Sequence, residues 1–219
     1  MKNKIILSSV TLLSAFILAA CGNGEKKATE TVAAPTTGVA KETTAAQTTT
    51  APTTTPRSSS GAKEISLADT QRIGNEKFGY INIPKDWVVY NFKAQSSKAL
   101  KYSSPDKHNM LLMDSNTKDT VELSPNETFD AQLLADRLYS FWGKDKNQTS
   151  IEGVKAIFAS GDAFLIKVTF KNGNTLYEWV FQKGDKVYNI TIVGSEDMIK
   201  ALRPVLEQSW GLDPNTPGK

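Results

Sequence analysis

Four apolar runs separated by very short polar segments dominate the second half of this chain of 219 residues. The runs are GVKAIFAS (153–160), AFLIKVTF (163–170), TLYEWVFQ (175–182) and VYNITIVG (187–194), and all are rich in β-branched and aromatic residues. The segments between them contain glycine, asparagine and aspartate, as hairpin turns do. Because parallel strands need long crossover connections, links this short predict an antiparallel meander.

The third run indicates which face of the meander meets the core. Side chains alternate between the two faces of a strand, so Tyr177, Trp179 and Phe181 share one face of TLYEWVFQ. Leu176, Glu178 and Val180 share the other face. We predict that the aromatic face packs on the core.

Two helices are predicted, one before and one after the meander. Residues 127–143, ETFDAQLLADRLYSFWG, place apolar side chains at helical spacing, and Gly143 ends the segment. The start is open between Ser124, in a capping box, and Thr128. A second helix is predicted after Ser195, kinked or divided at Pro204, because proline lacks the N–H that a helix interior uses.

The first part of the domain contains further segments typical of strands. Residues 78–83 and 87–92 are predicted to form two extended pieces, residues 98–115 a hairpin, and residues 119–123 another short strand. The order of strands, helix, meander and helix is typical of the α+β class. The sequence therefore predicts an antiparallel sheet covered by helices.

The segment GYINIPKDW (79–87) resembles the opening of PsbP-like domains. The central helix, the late meander and a terminal helix ending in Ser209-Trp210 follow in the same order, so the resemblance covers about residues 73–212. It implies an α/β/α sandwich around an antiparallel sheet. Known members of that family are mostly binding or accessory proteins, and the resemblance implies no catalytic residue.

The only cysteine, Cys21, follows a stretch typical of a targeting segment. Residues 1–4 contain two lysines, and residues 5–20 are uncharged and mostly apolar. The ending Leu18-Ala19-Ala20-Cys21 resembles the lipobox of bacterial lipoproteins. That resemblance implies cleavage after residue 20 and acylation of the Cys21 sulfur, which anchors the chain at the extracytoplasmic face of the cell membrane. The alternatives are an ordinary signal peptide followed by an incidental cysteine, or an uncleaved anchor.

Composition divides the rest of the chain into a tether and a domain. Twelve threonines lie between positions 29 and 55 without any apolar period, so residues 21–60 are predicted to be a disordered tether after the signal peptide of residues 1–20. Residues 61–219 are predicted to form a single α+β domain. This domain contains 20 basic and 20 acidic residues, which argues against nucleic acid as a partner.

Residue types suited to catalysis or metal binding are sparse. The single histidine, His108, falls in a predicted turn, and no Gly-x-Ser-x-Gly motif is present. One histidine and one acylated cysteine do not supply the usual zinc ligands, and no cofactor is predicted. Asp114, Glu122, Asp162 and Glu178 could form a carboxylate pair. Their spacing singles out no pair, and an exposed sheet face accounts for all four.

The aromatic residues Trp87 and Tyr90, just after the break at Pro84, are predicted to form an exposed binding surface. We therefore expect a non-enzymatic domain at the membrane that binds or assists an envelope or surface protein. The alternative is a carrier that holds a small apolar ligand or a peptide between the sheet and the helices. An enzyme would instead need acidic residues converging in a cleft with shifted pKa values.

Overall fold

The computed structural model describes residues 65–90 and 99–218. The first strands are β1 (Thr70–Asn75), β2 (Gly79–Pro84), β3 (Val88–Val89), β4 (Leu100–Ser103) and β5 (Met110–Thr117). Helix α1 (Ala131–Trp142) precedes β6 (Gln148–Phe158), β7 (Gly161–Phe170), β8 (Thr175–Lys183) and β9 (Lys186–Gly194), and helix α2 (Glu196–Ser209) follows. Short 3₁₀ turns occupy Leu67–Asp69 and Lys118–Thr120.

The meander predicted from the short turns is confirmed. Strands β6 to β9 pair with their sequence neighbours in antiparallel register, and β9 then pairs with β5. The resulting sheet has seven strands in the order β3-β4-β5-β9-β8-β7-β6, while β1 and β2 form a separate hairpin. Strands β3 and β6 are therefore the edges of the large sheet.

The turn between β6 and β7 has only two residues, and it lies two positions before residues 161–162, which separate the two predicted runs. Ala159 and Ser160 both have positive φ, at 49° and 62°, as a type I′ turn requires at its two central positions. The turn closes on the pair Phe158 and Gly161. This tight connection keeps β6 in register with β7 along its length, apart from an irregularity near Gln148.

Helices cover both faces of the seven-stranded sheet, so the predicted α+β class and α/β/α layering are confirmed. On one face, Tyr177, Trp179 and Phe181 pack in one core with α2 and the β1-β2 hairpin. On the other face, two smaller clusters join α1 to β7, β8 and β9, around Trp142 and around Val180. The prediction that the aromatic face of β8 meets a core is correct, but the opposite face is buried too.

Helix α1 begins later than either predicted start. Asp130 is the N-cap, and its side chain accepts a hydrogen bond from the Leu133 N–H at 2.8 Å. The capping-box pair forms within the preceding turn, where the Ser124 N–H donates to Glu127 at 2.7 Å. Arg137 of α1 then donates to the same Glu127 carboxylate at 2.6 Å, so this turn is tied to the helix.

Two further expectations differ from the structure, and one strand was not expected. Helix α2 starts after Ser195 as predicted, but it continues through Pro204 instead of dividing there. The strand predicted at residues 119–123 is absent, and a 3₁₀ turn lies at its start. Strand β1 was not predicted, because its sequence TQRIGN is mostly polar and becomes a strand by pairing with β2.

Candidate functional site

Two neighbouring valines are exposed at one edge of the large sheet. Val88 and Val89 form β3, and their side chains are 56% and 51% exposed. Successive residues of a strand point to opposite faces, so both faces of the sheet present an apolar group here. We call Val88, Val89 and Tyr90 the β3 edge.

The structure corrects the prediction for Trp87 and adds detail for Tyr90. Trp87 is only 3% exposed and belongs to the main core, so its ring is not available as a surface contact. Its N–H donates to the Pro84 carbonyl at 3.1 Å, and its carbonyl accepts from the Gln71 side chain at 2.6 Å. The turn after Pro84 thus directs the indole inward. Tyr90 is half-buried, and its N–H donates to the Lys101 carbonyl at 2.9 Å.

The opposite edge of the sheet also presents apolar groups. Strand β6 has 11 residues, and among the described residues no strand pairs with its outer side. Val154 is 54% exposed and Ile157 is 61% exposed. Tyr139 of α1 lies over Gly153 in the same strand and is itself 41% exposed. We call residues 151–157 with Tyr139 the β6 edge.

A buried carboxyl group lies between α1 and the centre of the sheet. Glu178 is 2% exposed, and the indole N–H of Trp142 donates to its Oε2 at 2.9 Å. The Thr191 hydroxyl and the Asn189 amide donate to its Oε1 at 3.3 and 3.4 Å. These four residues form the Glu178 cluster. The expectation of an exposed sheet face at Glu178 is wrong, because α1 covers this part of the sheet.

Burial raises the pKa of Glu178 above its ordinary value of 4.5. The three donors favour the charged form and act against this rise, whereas the negative charge of Asp114 adds to it. Asp114 pairs in register with Asn189, which places two of the predicted carboxylates near each other. Lys101, on the next strand, has a pKa lowered by burial and partly restored by Asp114.

This arrangement joins α1 to the sheet, but it offers no access to a substrate. Trp142 is fully buried, and Asn189 and Thr191 are also buried, so the carboxyl group of Glu178 faces side chains and not a cleft. A shifted pKa indicates a functional site when the group lies in a cleft. The cluster therefore fits a structural role, as a hydrogen-bonded junction between helix and sheet.

The other candidates for chemistry lie at the surface. His108 stays in the predicted turn between β4 and β5, where its Nδ1 lies 3.3 Å from Asp106 and both side chains are largely exposed. Within residues 65–90 and 99–218, no group of three histidine, cysteine or acidic side chains is arranged to hold a metal ion. A shallow depression open to solvent is lined by Asn75, Glu76, Lys77, Tyr80 and Lys186.

Arg72 organises the C-terminal segment, and no motif in the sequence marks it for this role. Its guanidinium donates to the carbonyls of Ser209 at 2.8 Å, Asp213 at 2.6 Å and Pro214 at 2.9 Å. It also donates to Asn82 of β2 at 3.0 Å. Desolvation by burial lowers its pKa, and Asp213 opposes this effect. The residue thus ties β1, β2 and the chain after α2 together.

The anchoring residue predicted from the sequence, Cys21, lies outside the described residues, as do the signal peptide and the tether. Neither helix of the described part has the length and hydrophobicity needed to cross a membrane.

The described residues thus define an α+β sandwich domain with two edge strands that carry exposed apolar groups. No protein-family model and no curated protein matches the chain. Solved structures similar to it include cyanobacterial PsbP from Synechocystis sp. PCC 6803, with a TM-score of 0.46 and 11% identity, covering 70% of this chain and 95% of that one.

Two further similar structures come from other bacteria. LpqN of Mycobacterium tuberculosis, described as involved in cell envelope biogenesis, has a TM-score of 0.37 and 15% identity, covering 67% of this chain and 96% of that one. A Pseudomonas aeruginosa protein of unknown function has a TM-score of 0.34 and 10% identity, covering 62% and 89%. Because each of these TM-scores is below 0.5, these likenesses assign neither family nor function to the chain.

Proposed function

We propose that the protein is a lipid-anchored lipoprotein at the extracytoplasmic face of the cell membrane, and that its α+β domain binds another envelope or surface protein without catalysis. The apolar stretch followed by Leu18-Ala19-Ala20-Cys21 supports the anchor. The Thr-rich residues after Cys21 supply a tether long enough to hold the domain away from the lipid surface, with ends about 35 Å apart as a coil.

The observation that carries the binding role is the β3 edge. Val88 and Val89 are each more than half exposed, side by side, on a strand that pairs on one side only among the described strands. Burying the exposed part of each valine against a partner would contribute about 1 kcal/mol. An edge strand also offers backbone donors and acceptors to an added strand. This edge therefore combines apolar contact with backbone pairing.

The carrier alternative has less support. The spaces between sheet and helices contain closely packed rings, such as the T-shaped pair of Trp142 and Phe170 at 5.9 Å and the tilted pair of Phe158 and Trp179 at 5.2 Å. The depression between Asn75 and Lys186 is open to solvent, and charged residues such as Glu76 and Lys77 take part in its lining. A pocket for an apolar ligand would be enclosed.

The anchor is tested by replacing Cys21 with serine in the full chain. The native chain should be recovered with membranes and should incorporate labelled palmitate, whereas Cys21→Ser should incorporate none because serine has no thiol to acylate. Equal label in both chains, or an unlabelled native chain in the soluble fraction, would refute the anchor. This result is independent of the binding role.

The binding role is tested by retrieving partners with the full chain from detergent extracts of the envelope. We expect the native chain to retrieve a reproducible partner and the double variant Val88→Ser/Val89→Ser to lose most of it. The control variant Leu67→Ser/Leu212→Ser removes two leucines that are 51% and 45% exposed elsewhere on the domain, and it should retain the partner. Loss in both variants, or in neither, would contradict a specific role for the β3 edge.

A further inference from the structure

Strand β6 has the properties of an edge that pairs with another strand. It is the longest strand of the described residues, contains no proline, and has Lys155 as its only basic residue. Edge strands that remain unpaired are usually short, bulged or protected by charge. Here the only irregularity lies at the start, near Gln148, and the exposed apolar residues Val154 and Ile157 lie on the regular part.

We propose that two copies of this chain associate through β6, in antiparallel register about a two-fold axis at Val154, so that two seven-stranded sheets become one. A two-fold axis perpendicular to the sheet keeps each face continuous, and paired residues then have numbers of the same parity. The proposal does not depend on the lipid anchor or on the partner assigned to the β3 edge.

The side chains select this register among those that symmetry allows. With Val154 on the axis, Val154 lies opposite Val154 of the second copy, and Ile157 lies opposite Ile151. Both strongly exposed apolar residues of β6 thus gain apolar neighbours. A shift of the axis to Gly153 would place Val154 opposite Glu152 and Ile157 opposite Thr149 instead. Apolar pairs opposite each other stabilise a sheet, whereas an apolar group facing a charge does not.

The charged residues of β6 are also compatible with the axis at Val154. Glu152 lies opposite Ala156, and Lys155 lies opposite Gly153, so no like charges face each other. The ring of Tyr139 covers Gly153, because a Cβ added to Gly153 would lie 3.2 Å from that ring. The ammonium group of Lys155 from the second copy therefore reaches an exposed aromatic ring, which suits a cation–π contact.

The backbone hydrogen-bonding pattern of β6 is also compatible with a two-fold axis at Val154. Hydrogen-bonded and non-hydrogen-bonded pairs alternate along an antiparallel ladder. Phe158 and Gly161 form the hydrogen-bonded pair that closes the turn, and every second residue before Phe158 directs its backbone groups the same way. The N–H and C=O of Val154 therefore point towards β7. Residues 151, 153, 155 and 157 direct theirs outward. The pair formed by the two Val154 residues is then of the non-hydrogen-bonded type, in which side chains approach most closely.

Cysteine cross-linking of the full chain in its own membranes tests the axis. In Val154→Cys, two thiols at the axis would have Cβ atoms about 5 Å apart, close to what a disulfide needs. In the control Ile157→Cys, at a position slightly more exposed than Val154, the two thiols would be about 20 Å apart. The native chain, whose one cysteine is Cys21, reports any background. We expect a disulfide-linked dimer from Val154→Cys and about a tenth as much or less from Ile157→Cys.

Cross-linking of neither variant, or of both equally, would overturn the proposal, as would a Val154→Cys product joined to a different protein. Sedimentation equilibrium in density-matched detergent gives a second measurement. The native chain and the control Val88→Lys, changed at the other edge, should be dimers. Val154→Lys places two ammonium groups opposite each other and should raise the dissociation constant about tenfold or more. A native chain that is monomeric at all concentrations would also overturn the proposal.

Discussion

The stability of the protein should depend on pH through Glu178, and the substitution Glu178→Gln should remove that dependence. Burial raises the folded-state pKa of this carboxyl group above 4.5, despite the donors Trp142, Asn189 and Thr191. A raised folded-state pKa means that the folded chain binds this proton more tightly than the unfolded chain. The stability that the protonated group contributes is therefore fully present below the unfolded pKa and is lost as the pH rises through the folded pKa.

The size of the effect follows from the number of protons and hydrogen bonds involved. Between the unfolded and folded pKa values, one proton is lost on unfolding, so the native free energy of unfolding should fall with a slope approaching about 1.4 kcal/mol per pH unit. Glutamine has the same shape as the protonated acid. Its oxygen can accept the hydrogen bond that Trp142 donates to Glu178 at 2.9 Å, and its amide group donates where the acid carries its proton. Below pH 4.5 the two chains should therefore agree within about 1 kcal/mol, the contribution of one hydrogen bond.

Urea unfolding of the full chain at pH values from about 4 to 8, followed by tryptophan fluorescence, measures this difference. All four tryptophans are buried in the domain, at Trp87, Trp142, Trp179 and Trp210. The variant should gain stability relative to the native chain as the pH rises. Glu122→Gln, at an exposed position, should follow the native curve. Parallel curves for the native and Glu178→Gln chains, or a difference that shrinks with rising pH, would refute the reasoning.

Three further substitutions test how the fold is held together. Asp130→Ala should lower the free energy of unfolding by about 1 kcal/mol in urea titrations, whereas Thr128→Ala should leave it unchanged, because Asp130 caps α1. Gly79→Ala should cost about 2 kcal/mol in thermal unfolding, since φ is +74° and the new Cβ would lie 2.7 Å from Trp210. Arg72→Ala should speed amide hydrogen exchange after Trp210 while α2 stays protected, and Arg72→Lys should restore little, because an ammonium group lacks the planar fork of donors.

The parts of the fold that could be predicted are those encoded by local signals. The short polar segments between the runs and the alternation in β8 each act over a few residues, so the antiparallel meander follows from them. The position of the first turn does not, because it lies at Ala159 and Ser160 and not at the predicted residues 161–162. The second helix follows from Ser195, whose side chain accepts from the Met198 N–H. The layered α+β arrangement then results from burying the apolar faces of these elements.

The candidate sites were harder to predict, because exposure depends on what the rest of the chain covers. Trp87 and Val88 are neighbours in sequence, yet the turn after Pro84 buries the first and exposes the second. Glu178 looks like a solvated strand residue in the sequence, but α1 covers that side of β8 and brings Trp142 to its carboxylate. Helix α1 begins after Asp130, later than predicted, for a similar reason. The turn that starts at Ser124 is held against the helix by the ion pair of Glu127 with Arg137.

The sequence by itself determined the elements whose hydrogen bonds lie close along the chain, because turn residues and caps act through nearby atoms. Lipid attachment at Cys21 stays a prediction from the sequence. The tertiary structure alone decided which side chains face solvent at the two sheet edges and that the carboxyl group of Glu178 is buried beneath α1. Burial is a property of contacts between distant segments, and no local pattern specifies how those segments meet. That no described strand pairs with the outer side of β6 follows only from the strand order, which places β6 at the end of the sheet.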